Sequence, residues 1–258
     1  MANYGKVSSV TQKGTYEPFG LQVARGQIGQ HTAIQVFGYN PDVDTSEESV
    51  WPDGGTVPHP TVASVLDIVS TSTDDDGSPA GTGARTVFIE GLDGDYNVVS
   101  ETVTLNGTTD VSTVQEYLYI NQFYVATAGS GGANAGDITA KLSTTLYDMI
   151  LTGYNQRTTA HYCVPAGYTG YMVTGIVTTG QATGSTAVTA FLKQHGPDGI
   201  LRVGAVSTLN NGSVQYDFDP AYQIPEKNCI GASAIGAAVN NSVSAFFNII
   251  LVKNDSQT

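Results

Sequence analysis

At 258 residues the chain is long enough to bury the core of one large or two ordinary domains without cross-links. Charged residues make up only 13 % of it, while 30 Gly, 14 Tyr and 8 Phe favour many short strands joined by turns. The net charge of −13 argues against a nucleic-acid surface, which needs Lys and Arg to displace counterions, and no apolar run approaches a membrane span or a secretory leader.

Residues 1–18 are polar and read as an extended N-terminal arm. Tyr4, Tyr16 and Phe19, at or beside that arm, are the aromatic side chains placed to touch a partner. A strand pattern is expected at Phe19, Leu21 and Val23, then another from Ile28 to Phe37. Residues 40–60 form a long connection rich in Pro, Gly and acids, and loops of that length tend to be functional or to lie along a neighbour. This stretch holds Trp51, the single tryptophan, which serves either as a contact anchor or as a pin of the loop to its own domain. Strand pattern resumes over 62–72 and breaks at 71–83, where Asp74, Asp75 and Asp76 have the composition of an exposed loop tip.

The clearest pattern is Ala84 to Gly107. Val87 and Ile89 share one face, Val99, Val103 and Leu105 share the matching one, and Asp93-Gly94-Asp95 supplies the turn of a hairpin. Alternation returns over 117–125, and a Gly-rich turn leads to a short strand near Ile138. Beyond it, six stretches (168–179, 186–194, 200–208, 214–219, 229–239 and 243–252) read as strands separated by turn signals. The last of them is apolar on both faces and belongs in the middle of a sheet. The expected fold is all-β, with two β-sandwich (jelly-roll-like) halves: an acidic one over 19–140 and a neutral one over 141–258. Residues 1–140 carry 17 of the 23 acidic side chains and 4 of the 10 basic ones, whereas 141–258 carry 6 of each.

No catalytic, cofactor-binding or metal-ligating residue is assigned. His31, His59, His161 and His195 are scattered and none has a second His or Cys at ligand spacing, so zinc is not expected. The acids of 42–48 and 74–76 lack the central Gly and terminal Glu of a calcium loop. No nucleophile elbow or dinucleotide fingerprint appears, and no enzyme activity is expected. Cys163 and Cys229 read as buried free thiols.

Long stretches do carry a resemblance: GTGARTVFIEGLDGDYNVVSETVTLNGTTDV, FGYNPDVDTSEESVWPDGG and AGSGGANAGDITA in the first half, then YCVPAGYTGYMVTGI, LKQHGPDGILRVG, FDPAYQIPEKNCIGASA and SVSAFFNIILV. Together, over roughly residues 17–252, they resemble a family of virion structural proteins of tailed bacteriophages, of the marine-phage type. The resemblance implies a non-catalytic β-sandwich building block present in many copies, without cofactor, assembled in the host cytoplasm. The expected role is a capsid decoration or cement protein on the outer head surface. Its partners would be the major capsid protein and its own copies, as a trimer, with no nucleic acid and no membrane. The alternative expectation is a tail, fibre or vertex-spike protein that attaches to a host-surface glycan.

Overall fold

A computed structural model describes residues 17–181 and 186–254. A short helix, α1 (Phe19–Ala24), precedes β1 (His31–Val43), β2 (Glu48–Ser49), β3 (Asp67–Ser70), β4 (Ala84–Leu92), β5 (Val98–Thr104), β6 (Val111–Ser112), β7 (Tyr119–Ala128) and β8 (Ile138–Leu142). Then come β9 (Thr145–Ile150), β10 (His161–Cys163), β11 (Tyr168–Gln181), β12 (Ala187–His195), β13 (Leu201–Asn210), β14 (Ser213–Ile224), β15 (Cys229–Gly236) and β16 (Asn241–Lys253). The protein is all-β, and among the described residues its strands pair antiparallel in four sheets.

The first sheet has the order β1-β16-β11-β14, and the second β10-β15-β12-β13 with β2 on β15. Both feed one core. Val36, Met172, Phe247 and Ile249 come from the first sheet, and Val188, Ala190, Ile230 and Ala234 from the second. β16 lies between β1 and β11, as its two apolar faces require, with Val243, Ala245, Phe247, Ile249 and Leu251 turned inward. At Gly38 a side chain would collide with Ala160 and the Val50 carbonyl, so the absence of Cβ lets β1 lie against both segments.

The third and fourth sheets, β6-β3-β8-β9 and β5-β4-β7, enclose a second core of Leu66, Ile68, Val87, Ile89, Phe123, Ile138 and Ile150. The β4–β5 hairpin runs in register from Thr86↔Thr104 to Leu92↔Val98. Its turn is held by the Asp93 carboxylate, which accepts from the backbone N–H groups of Asp95 and Asn97, both at 2.9 Å.

Strand pairing does not follow the expected division at residue 140. β1 pairs with β16 from His31↔Val252 to Val43↔Asn241, and β2 pairs with β15, so these early strands join the C-terminal ones. Residue 140 lies inside β8, which pairs with β3 and β9. One body is therefore built from both ends of the chain and the other from the segment between them. A chain-order reading of composition misses this, because long-range pairing leaves no local signature.

Residues 19–24 also depart from expectation, being helical rather than extended. The Pro18 carbonyl accepts from Leu21 N–H at 3.0 Å and Gln22 N–H at 3.1 Å, and Gly26 at φ 66° closes the turn. Gly20 and Gln22 bring little strand preference, and six residues are too few for period two to outweigh one helical turn.

Candidate functional site

Two regions concentrate exposed or chemically able side chains. The first is the outer face of the second sheet. Side chains directly opposite one another across antiparallel strands point to the same side. Cys163 stands opposite Cys229, and Cys229 stands opposite His195. His161, two residues before Cys163, shares that face. Ile230, Ala232 and Ala234 alternate with these positions and enter the core on the other side.

Cys163 and Cys229 are joined in a disulfide, contrary to the expectation of free thiols. The cause is register: β10 and β15 bring together two residues 66 positions apart in sequence, a neighbourhood that spacing does not reveal. The disulfide lies in a small apolar cluster with Leu92, Leu118 and Tyr119, at the seam where the second body meets the first. Asn121 fixes this seam, donating to the Cys163 carbonyl at 2.8 Å and accepting from the Cys163 N–H at 2.9 Å. Arg157 adds to it, forming an ion pair with buried Asp148 and donating to the carbonyls of Asn121 at 2.8 Å and His161 at 3.2 Å.

Three of the four scattered histidines converge here. The rings of His161 and His195 are 6.1 Å apart and nearly parallel, and His59 from the 40–60 connection lies 6.3 Å from His195 and 4.6 Å from Tyr119. Burial holds the His161 imidazole well below its usual range, with His195, Arg157 and His59 pushing the same way. Burial and then His59 also hold His195 down, against a weaker pull from Asp198. Both rings therefore favour the neutral form, which leaves a nitrogen lone pair free to bind. They border a cleft of about 350 Å³ whose rim carries Glu47, Glu48 and Lys193. Burial opposes ionisation of Glu47, yet bonds from Lys193 and Ser233 outweigh it and keep the carboxyl below its ordinary range.

The second region is β13, the edge of the same sheet. Leu201, Val203 and Val206 stand opposite His195, Lys193 and Phe191, which alternate along β12 and so share one face. A bulge at Leu192/Lys193 absorbs Gly204 and brings Val203 and Val206, three apart, onto that face together. The three aliphatic side chains are 53 %, 52 % and 51 % exposed, and Ile200 beside them is 56 % exposed. On β14, Tyr216, Phe218 and Tyr222 form a row with ring centroids 6.1 and 6.0 Å apart.

Of the four residues expected to touch a partner, Tyr4 and Tyr16 lie outside the described residues. Phe19 is 47 % exposed and packs edge-on against His31, so part of its ring is free. Trp51 is 2 % exposed and its indole N–H donates to the Gly54 carbonyl, which makes it the pin of its loop rather than an anchor for another molecule. Two acids of that loop, Glu47 and Glu48, are also occupied internally. Glu48 accepts from Asn40 at 3.1 Å, and Glu47 from Ser233 at 2.7 Å and from Lys193.

The run at 74–76 is not uniformly an exposed tip. Asp75 is fully buried and accepts from Ser70 Oγ at 2.6 Å and from the N–H groups of Ala84, Ala135 and Gly136 at 2.7, 2.8 and 2.9 Å. A Cβ on Gly83 would strike this carboxylate, so glycine there is what admits it.

No family model matches the sequence, and no curated protein matches it. Solved structures match weakly. Particles of infectious bursal disease virus, Gx strain, give 12 % identity, 88 % of this chain against 73 % of that chain, and a TM-score of 0.24. The VP2 subviral particle of the same virus gives 11 % identity, 89 % against 73 %, and a TM-score of 0.22. Likenesses of this size fix neither the fold nor the function of the chain.

Proposed function

We propose that this chain is a non-enzymatic structural protein of a virion, and specifically a capsid decoration or cement protein of a tailed bacteriophage on the outer head surface. The observation that carries the reading is β13. A long edge strand with half-exposed Leu201, Val203 and Val206 along one face is a place where chains associate, because its aliphatic strip gains from being covered. Copies of the same chain are the natural cover, in closed symmetry such as a trimer. The resemblance of residues 17–252 to virion structural proteins supplies the setting. The acidic part of the chain favours the outside of a shell over a lining packed against DNA phosphates. Phe19 is left as the described aromatic side chain at the arm with surface to offer the major capsid protein.

Densitometry of purified virions tests the proposal. A cement role requires copies in simple ratio to the major capsid protein, with antibody label on heads. A copy number of a dozen or fewer with label on tails moves the protein to the tail, fibre or spike reading, in which added protein blocks adsorption to cells. Finding the chain outside virions altogether rejects both.

A further inference from the structure

The outer face of the second sheet gathers four soft or borderline donor side chains from three neighbouring strands: His161 and Cys163 on β10, Cys229 on β15 and His195 on β12. The donor atoms of His161, His195 and Cys229 all lie within 4.8 Å of one another, and His161 Nε2 is 3.9 Å from Cys163 Sγ. A tetrahedral zinc site built from bonds of about 2.0–2.3 Å holds its ligand atoms roughly 3.3–3.8 Å apart, so His161, His195 and Cys229 need shifts of about 1 Å to close on an ion, while Cys163 Sγ must part from Cys229 Sγ to join them. We propose that Cys163, Cys229, His161 and His195 form a Cys2His2 site for Zn²⁺ when the disulfide is reduced. At the seam, β10 is then tied to β15 and β12 by metal in a reducing compartment, and to β15 by the disulfide in an oxidising one.

The chemistry balances with a small-molecule thiol as reductant. Two thiols reduce the Cys163–Cys229 bond, giving two protein thiols and one external disulfide. Binding of Zn²⁺ then releases the two thiol protons, and a dithiolate with two neutral imidazoles leaves the site uncharged. Reduction also frees the sulfurs to move from bonding distance to van der Waals distance, the separation two thiolates on one zinc require.

The backbone of β10 is clamped on either side of the ligands, by Asn121 at Cys163 and by Arg157 at the His161 carbonyl, which positions the strand for either cross-link. A cleft lined by Glu47, Glu48 and Lys193 reaches His161 and His195 from solvent, which gives a cation a path in. The disulfide by itself accounts for neither the paired imidazoles nor the entry path. The site stands independently of the virion reading, since it rests on strand register and donor chemistry.

Cobalt titration of the full chain tests it. Protein reduced with a phosphine under anaerobic conditions is expected to bind one Co²⁺ per chain, with the intense visible bands of tetrahedral cobalt and a sulfur-to-cobalt charge-transfer band, both lost on adding Zn²⁺. The oxidised protein is expected to bind none. His195→Gln keeps both cysteines, and circular dichroism of its oxidised form reports folding. Loss of a direct ligand should cost at least what loss of an outer-shell partner does, so its reduced form is expected to bind cobalt about 100-fold more weakly or worse. No cobalt uptake by reduced wild type, an octahedral spectrum without the sulfur band, equal uptake by oxidised protein, or unchanged affinity in folded His195→Gln would each overturn the site. The wild-type spectrum decides the matter even where the variant does not fold.

Discussion

Single side chains decide local stability here through burial of charge. Asp75 has no exposed surface and accepts four hydrogen bonds, three of them from backbone N–H groups, of which those of Ala84 and Gly136 are buried. Asp75→Asn keeps the shape but sets an amide N–H₂ against donors, so it is expected to cost about 2–4 kcal/mol in urea unfolding. Asp74→Asn, on an exposed neighbour, should be close to neutral. The sequence shows three consecutive acids and a loop composition. It cannot show which of the three meets the backbone of Ala135 and Gly136, 60 and 61 residues on. Glu90 behaves differently, because burial alone pushes its carboxyl above the ordinary range. The folded protein then holds the Glu90 proton to higher pH than the unfolded chain does, and ionisation disfavours folding as pH rises past the unfolded value. Glu90→Gln is therefore expected to raise the urea midpoint near pH 7 and to lose that advantage at about pH 3, where both states are protonated. An equal gain at both values would show that charge is not the cause.

Elements whose partners are close in sequence were legible, and elements paired at long range were legible only as strands. The β4–β5 hairpin follows from alternation plus a turn within 24 residues, and its core face of Val87, Ile89 and Val103 is the one that alternation indicates. β16 announced its central position by carrying apolar residues on both faces. The neighbours of β10 could not be read in this way. Three residues offer no period, and only the register with β15 brings Cys163 to Cys229 and, through β12, to His195. The missed histidine cluster has the same origin: His59, His161 and His195 lie on a loop and two strands of one sheet that are distant in sequence and brought together only by long-range pairing. Closing a loop between residues 66 apart restricts the unfolded chain and is worth about 4 kcal/mol on entropy grounds. Cys163→Ser/Cys229→Ser, measured without metal, is accordingly expected to unfold at lower urea by about 2–4 kcal/mol. A loss below about 0.5 kcal/mol would mean that Asn121 and the packing around Leu92 and Tyr119 hold β10 in place without the cross-link.

At the scale of the molecule, an all-β body presents strand edges, and each must be covered, blunted or used. β1 lies at the edge of the first sheet with α1 beside it, while β13 and β14 form edges that carry aliphatic and aromatic side chains. β13 lacks the usual devices against association along the strip from Leu201 to Val206: Arg202 is its one charged residue and is engaged with Asp198 at 2.8 Å. If this strip is where copies meet, charge placed on it should separate them without loosening the fold, since half-exposed side chains add little to the core. Val203→Lys with Val206→Lys puts two like charges on one face beside Lys193. Sedimentation velocity is expected to show the wild-type chain as a closed oligomer and the double variant as a monomer. The unfolding free energy per chain at the monomer level should change by no more than about 1 kcal/mol. A wild-type chain that sediments as a monomer at assembly concentrations would leave β13 to a different protein as partner. In that case the same two lysines should abolish its binding to heads while leaving the spectrum of the folded chain unchanged.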